Sequence, residues 1–287
     1  MEAGGKTYIE HGSRADEFRV WNLADLHWLS TACAEDQIRT DVATIAADPY
    51  SFWIGGGDYA DFIGYTDKRF DPDVVAPWVK IADMGRLGQF GMECVRDVLL
   101  PIKDKCLGLL LGNHEKRYSL KTEHEGLHGW LCTELDASNW QYSVLFDLVF
   151  ARAGRIASPR LRRTPPKHGK ISSRSFRIFA HHGAGYAQTP GGKLNRLIRF
   201  MDSFDADIYF CGHVHDQVGR RQPTIGADAD CQHLRAKERV GVISGSYLKT
   251  YQQGATTYGE QRGYRPTCLG AAVVTINPDK MTVRGEV

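Results

Sequence analysis

The 287-residue chain has no run of 18 or more apolar residues, so the sequence predicts no transmembrane helix. Its first residues, Met1 to Phe18, lack the apolar segment of a secretory signal peptide. The seven cysteines are scattered singly and form no CxxC pair, which argues against a zinc ribbon or a disulfide framework. We therefore expect a cytoplasmic protein whose thiols are reduced.

Acidic residues are missing from positions 148 to 201, and that stretch holds 12 of the 36 basic residues. The rest of the chain carries 24 basic residues against 34 acidic ones. A segregated positive segment creates a local field that attracts anions. We interpret positions 151–175 as an extended or hairpin insertion in a single domain that spans residues 1–287. The segment from Arg152 to Arg177 is a candidate nucleic-acid surface beside the active site, with a solvated loop as the alternative.

Short apolar strands alternate with amphipathic helical patterns, which predicts an α/β protein. Strands are expected at 18–24, 52–54, 107–111, 176–180, 208–210, 240–243 and 271–276. Helices are expected from a cap at Ser30 or Thr31 to just before Asp48, from about 84 to 100, and from Thr189-Pro190 onwards. Residues 1 to 16 look like a polar, frayed lead-in.

Polar motifs follow five of the expected strands directly. They are Asp25-Leu26-His27, Gly57 to Asp61, Gly112 to Glu115, His181-His182-Gly183 and Gly212 to His215. The ends of strands in α/β sheets are where loops converge on a site. Imidazole nitrogens and carboxylate oxygens suit divalent metals such as Mn, Fe, Zn or Co. The sequence therefore predicts a metal centre at these strand ends.

The motif order DxH, GDxxD, GNHE, HHG and GHxH resembles the calcineurin-like metallophosphoesterase superfamily, including its prokaryotic and phage-encoded members. The resemblance implies two facing mixed β-sheets flanked by α-helices, a four-layer α/β/β/α sandwich. It also implies two divalent metal ions, with Mn expected first and Fe, Zn, Co or Ni as alternatives.

The same resemblance implies a role for each motif residue. Asp25, His27 and His215 would bind the first metal; Asn113, His213 and either His181 or His182 would bind the second; and Asp58 would bridge both. His181 is the preferred member of the histidine pair, although strand alternation does not decide between the two. His114 would be the catalytic residue beside the substrate, and Asp61 would orient it.

The implied reaction is hydrolysis of phosphodiesters or phosphomonoesters by a metal-bound hydroxide, with nucleotides or nucleic acid favoured as substrates. A phosphoprotein phosphatase is the alternative suggested by GDYAD and GNHE, and a non-catalytic scaffold with the same fold is a further one. Glu115 is interpreted as a helix cap with no catalytic role. His124 and His128, spaced i and i+4, are interpreted as a solvated helix face.

Overall fold

A computed structural model describes residues 1–65, 67, 70–122, 126–154, 156–166, 172–185, 187–228 and 230–286 of the chain. The described residues form two mixed β-sheets that face each other, with helices on both outer sides. This confirms the predicted α/β sandwich. Among the described residues, no helix combines the length and the apolar character needed to cross a bilayer.

Within the described residues, the larger sheet has seven strands in the order β6-β1-β5-β7-β8-β10-β9. The smaller sheet has five strands in the order β12-β11-β2-β3-β4. The strands are β1 Glu2–His11, β2 Phe18–Leu23, β3 Ser51–Gly55, β4 Cys106–Leu109, β5 Ser143–Arg152, β6 Arg160–Arg162, β7 Ser172–His181, β8 Ile208–Cys211, β9 Val218–Ala227, β10 Leu234–Ile243, β11 Ala272–Asn277 and β12 Thr282–Glu286. The central pairs β2–β3–β4 and β7–β8 are parallel. Their carboxyl ends therefore carry loops to one end of each sheet.

The helices are α1 Glu35–Ala47, α2 Ile81–Met84, α3 Leu87–Leu99, α4 Asn113–Thr122, α5 Leu127–Glu134, α6 Pro190–Ser203 and α7 Tyr258–Gln261, with 3₁₀ turns at Pro72–Val74 and Leu100–Lys105. Helix α6 begins as expected, because the Thr189 side chain accepts a hydrogen bond from the Gly192 amide and Pro190 occupies the first helical position.

Side-chain alternation along the strands separates the layers. In β3, Phe52 and Ile54 pack into the apolar cluster between the sheets, whereas Trp53 faces the outer cluster built from α1, α3 and α5. In β7, Ile178 faces the cluster between the sheets and Phe179 packs with residues of α6. Each sheet is thus covered by its partner on one face and by helices on the other.

Two predicted boundaries are wrong. Residues 1–16 are not frayed, because Glu2–His11 forms β1, which pairs in parallel with β5 and buries Ile9 completely. The partner strand lies far along the chain, so local polarity concealed the pairing. Helix α1 begins at Glu35 without a side-chain cap. The amide of Thr31 instead donates to the Val74 carbonyl, and Ser30 forms a β-bridge with Val75.

The basic insertion is described only in part. Its residues Arg160–Arg162 form β6, which pairs antiparallel with β1 at the edge of the larger sheet. Positions 155 and 167–171 lie outside the described residues, as does His124. Residues 160–162 are therefore an added edge strand, whereas 151–152 and 172–175 belong to β5 and β7.

Candidate metal centre

The five polar motifs meet at one end of the sandwich. Each lies immediately beyond the carboxyl end of a parallel strand: β2, β3 and β4 in one sheet, and β7 and β8 in the other. Three overlapping groups of ligand atoms result, each with its atoms within 4.8 Å of one another: Asp25, His27 and His215; His27, Asp58 and His114; and Asp58, His182 and His213. The groups form one continuous cluster, because His27 joins the first two and Asp58 joins the last two.

The backbone at this cluster is strained. Asp25, His27, Asp58, His213 and His215 all have positive φ angles, between 48° and 70°. Non-glycine residues rarely adopt this region, and each such residue costs roughly 1–3 kcal/mol unless its surroundings fix it. Here the surroundings do fix it, since the amides of Asp25 and His27 donate to carbonyls of the facing 57–58 loop at 2.9 and 3.1 Å. Such over-determined strain is typical of functional sites.

The first group brings two imidazole nitrogens close to one carboxylate oxygen. The Nε2 atoms of His27 and His215 are 3.2 Å apart, and His215 Nε2 lies 3.4 Å from Asp25 Oδ1. Asp25 is fully buried, and none of the described residues donates a hydrogen bond to its Oδ1. A buried carboxylate oxygen facing two imidazole nitrogens is a suitable donor set for a divalent cation.

The third group, which contains Asp58, His182 and His213, also lies beside Asn113. His182 Nε2 lies 3.1 Å from Asn113 Oδ1 and 3.4 Å from Asp58 Oδ2. On its other side, His182 Nδ1 donates to the Gly56 carbonyl at 2.7 Å, because a carbonyl can only accept. This second contact fixes the ring so that Nε2 points at the two side-chain oxygens, as outer partners of metal-binding histidines do.

Charge in this group also fits a cation. Burial lowers the pKa of His182, but the carboxylates of Asp58 and Asp25 outweigh burial and raise the pKa to about 10. Burial raises the pKa of Asp58, but His182 and His114 hold it well below its usual value. Without an ion the buried carboxylates thus retain a proton on a neighbouring imidazole, and a divalent cation would supply that positive charge instead.

The structure corrects the preference for His181. His181 Nδ1 accepts a hydrogen bond from the Gly183 amide at 2.8 Å, and its ring packs against Phe200 with centroids 4.8 Å apart. Neighbouring residues at the end of β7 point in opposite directions. His182 therefore faces Asp58, whereas His181 faces α6.

His114 and Asp61 lie together at the edge of the cluster. Asp61 Oδ1 is 3.0 Å from His114 Nδ1 and 3.7 Å from His27 Nδ1. Burial lowers the pKa of His114, but Asp58 and Asp61 outweigh it and raise the pKa to about 9. The ring of His114 is thus held in place by the Asp61 carboxylate.

Glu115 has a role that sequence reasoning missed. It is buried, and its carboxylate accepts hydrogen bonds from the amides of Asp58 at 3.2 Å and Tyr59 at 2.6 Å. Burial and the charge of Asp58 raise the pKa of Glu115 to about 7. Besides its place in the first turn of its own helix, Glu115 thus holds the turn that carries Asp58. Its place beside His114 in GNHE was the available signal.

A second supporting contact comes from the Gly-Ser-Tyr sequence after β10. The Tyr247 amide and the Ser246 hydroxyl both donate to the Asp25 carbonyl, at 2.9 and 3.1 Å. The Tyr247 hydroxyl donates in turn to the buried Asp41 carboxylate at 2.6 Å. These contacts hold Asp25 in its left-handed conformation.

The described part of the basic segment does not line the metal centre. Arg163 donates to the carbonyls of Cys106 and Leu107, at the start of β4, whereas Asn113 follows the end of that strand. Arg162 pairs with Glu10. Arg162 and Arg163 therefore do not form the nucleic-acid surface expected beside the active site, because β6 pairs along β1 at the edge of the larger sheet.

His128 is not on a solvated helix face. It is buried on α5, its ring stacks on Tyr59 with centroids 6.2 Å apart, and burial lowers its pKa to about 4. It is a neutral core histidine.

Fold and site together define a class, namely α/β/β/α proteins with a buried His, Asp and Asn cluster at the strand ends. A profile of the calcineurin-like phosphoesterase family matches residues 18–217, and the chain belongs to that family. Family membership supports a metal-dependent phosphohydrolase that acts on a phosphate ester.

Two solved structures are similar to this chain. Vps29 complexed with Zn²⁺ from Entamoeba histolytica shares 12% identity with a TM-score of 0.39, and the match covers 94% of this chain and 97% of that one. A predicted phosphoesterase from Streptococcus pneumoniae shares 11% identity with a TM-score of 0.34, covering 91% of this chain and 84% of that one. No curated protein matches the chain.

Proposed function

We propose that this protein is a binuclear metal-dependent phosphoesterase. The observation that carries the proposal is the position of Asp58, which shares one ligand group with His27 of the first site and another with His182 and His213 of the second. One ion would be held by Asp25, His27 and His215, the other by Asn113, His182 and His213, with Asp58 shared between them. The domain that carries this site is proposed to span residues 1–287.

The mixed imidazole, carboxylate and amide donors suit Mn, which we propose first, and are compatible with Fe, Zn, Co or Ni. Two bound cations would activate water and neutralise charge on the phosphoryl oxygens. His114 would donate a proton to the oxygen of the departing group, since its ring lies at the edge of the cluster between Asp61 and His27. Asp61 would hold that ring in place from 3.0 Å.

A small phosphate ester, a nucleotide among them, is the proposed substrate, either as a monoester or as a diester. The argument for a nucleic-acid polymer was the basic segment. Arg162 and Arg163 lie at the other end of β4 and bind protein groups. A polymer substrate therefore has less support than a small one.

The test is to strip the purified protein with a chelator and reload it with Mn²⁺. Metal content would then be measured alongside hydrolysis of p-nitrophenyl phosphate, bis(p-nitrophenyl) phosphate and a phosphoserine peptide. We expect about two ions per chain and turnover of at least one small ester. Turnover of the peptide alone would favour a phosphoprotein phosphatase.

Two other outcomes would contradict the proposal. Two tightly bound ions with no turnover of any ester would favour a non-catalytic scaffold. Binding of no metal by the folded protein would rule out the binuclear centre itself. Far-UV circular dichroism of the stripped and reloaded samples is the control for folding.

A further inference from the structure

Arg117 lies on the face of α4 that borders the metal centre. It follows Asn113 by four residues and His114 by three, and residues at these spacings lie on the same side of a helix. Long helical side chains lean back towards the helix N-terminus. The exposed Arg117 side chain is therefore directed towards the opening of the site, where α4 begins.

Tyr142 borders the same opening from the neighbouring turn. Its carbonyl accepts a hydrogen bond from the His182 amide at 3.1 Å, and its ring meets the His182 ring edge-on with centroids 5.3 Å apart. The preceding residue, Gln141, accepts a hydrogen bond from the Leu111 amide at 2.6 Å, which places this turn beside the start of α4. The Tyr142 side chain is only partly buried.

Electrostatic interactions connect this ring to the charges of the site. Burial raises the pKa of Tyr142, the carboxylates of Asp58 and Asp25 raise it further, and the positive charge of Arg117 opposes them. A tyrosine hydroxyl, whose ordinary pKa is about 10, is protonated at neutral pH and can donate a hydrogen bond.

We propose that Arg117 and Tyr142 form a subsite for the free oxygens of a phosphomonoester and make the enzyme prefer monoesters over diesters. This inference rests on the proposed phosphoesterase function. A guanidinium offers paired donors that match two phosphate oxygens, and the Tyr142 hydroxyl adds a third donor. A monoester dianion presents one more free oxygen and one more negative charge than a diester. Loss of Arg117 should consequently weaken monoester turnover more.

The experiment compares Arg117→Gln and Tyr142→Phe with the control Lys116→Gln. Lys116 is exposed on the same helix but follows His114 by two residues, a spacing that does not place it on the side that His114 and Arg117 share. For each Mn-loaded variant, kcat/KM would be measured on p-nitrophenyl phosphate and bis(p-nitrophenyl) phosphate. Binding of inorganic phosphate would be measured by calorimetry, and metal content would verify that the centre is intact.

Arg117→Gln should lower monoester kcat/KM and phosphate affinity by about tenfold to a hundredfold, the usual effect of losing a hydrogen bond to a charged group. Diester kcat/KM should fall clearly less. Tyr142→Phe should lower the monoester value by about two- to tenfold. Lys116→Gln should behave as the wild type.

Equal losses on the two esters, or no loss beyond that of Lys116→Gln, would overturn the subsite. Failure of the underlying function is a separate result, namely a metal-loaded wild type that hydrolyses neither ester. In that case the calorimetric phosphate titrations test the subsite without turnover. Unchanged phosphate affinity in Arg117→Gln would still overturn the subsite. A wild type that binds no phosphate would overturn both proposals.

Discussion

The two ends of the sandwich use charged residues differently. At the carboxyl ends of the parallel strands, buried Asp and His side chains face one another on strained backbone. Asp25 Oδ1 has no hydrogen-bond donor within the part of the chain that the structure describes. At the opposite end, Arg162 and Arg163 are engaged by Glu10 and by the carbonyls of β4. Unsatisfied, strained groups indicate a ligand, whereas satisfied charges indicate structure.

The sharpest test of this comparison is Asp58→Asn. Asp58 belongs to two ligand groups, and its Oδ1 also accepts a hydrogen bond from the His114 amide at 2.8 Å. The substitution removes one charge from the shared position while keeping the side-chain shape. We expect activity to fall to background and metal content to fall below that of the wild type, as measured by elemental analysis after reloading. Full metal content with normal turnover would show that Asp58 is not shared.

The histidine pair gives the next largest contrast. His182→Ala should remove one ion and most of the activity, because His182 Nε2 faces Asp58 and Asn113. His181→Ala is the matched control, since the His181 ring packs on Phe200 and should affect thermal stability more than metal content. Both are measured by elemental analysis and ester turnover. Equal effects of the two substitutions would contradict the assignment.

His114 separates chemistry from metal binding. His114→Ala should keep both ions and lower kcat by about 10²- to 10⁴-fold, the usual contribution of a general acid or base. Asp61→Asn should lower kcat less, because Asp61 acts by orienting His114 from 3.0 Å. Metal analysis and kcat on a small ester are the measurements. Loss of an ion in His114→Ala would instead make His114 a ligand, as its place in the group with His27 and Asp58 allows.

The sequence predicted what is encoded locally. Strands β3, β8 and β11 are short apolar runs, and the start of α6 carries its own cap in Thr189 and Pro190, so these elements needed no long-range information. The motif order identified the family, and the fold followed from it.

The remainder depends on contacts between residues far apart in the chain. Strand β1 exists because β5, more than a hundred residues later, pairs with it. From its local sequence, Glu115 is interpreted as a helix cap. Only the packing of α4 against the loop that follows β3 shows that the Glu115 carboxylate binds the Asp58 amide. The orientation of His182 depends on the Gly56 carbonyl in the facing sheet. A charge run, likewise, does not indicate which end of a sheet it will occupy.

The smallest expected effect concerns Arg163 and would show whether the basic segment is structural. Its guanidinium donates to the Leu107 and Cys106 carbonyls at 2.7 and 2.9 Å. Both carbonyls belong to β4, which is an edge strand of the smaller sheet. Arg163→Ser would leave those carbonyls without their partner, which costs about 1–3 kcal/mol. Thermal unfolding should show a lower Tm with turnover of small esters unchanged. Exposed Arg160→Ser is the control, with an expected change within about 0.5 kcal/mol. Slower turnover of a nucleic-acid substrate at unchanged Tm in Arg163→Ser would instead place this segment in substrate binding, because a purely structural arginine affects stability first.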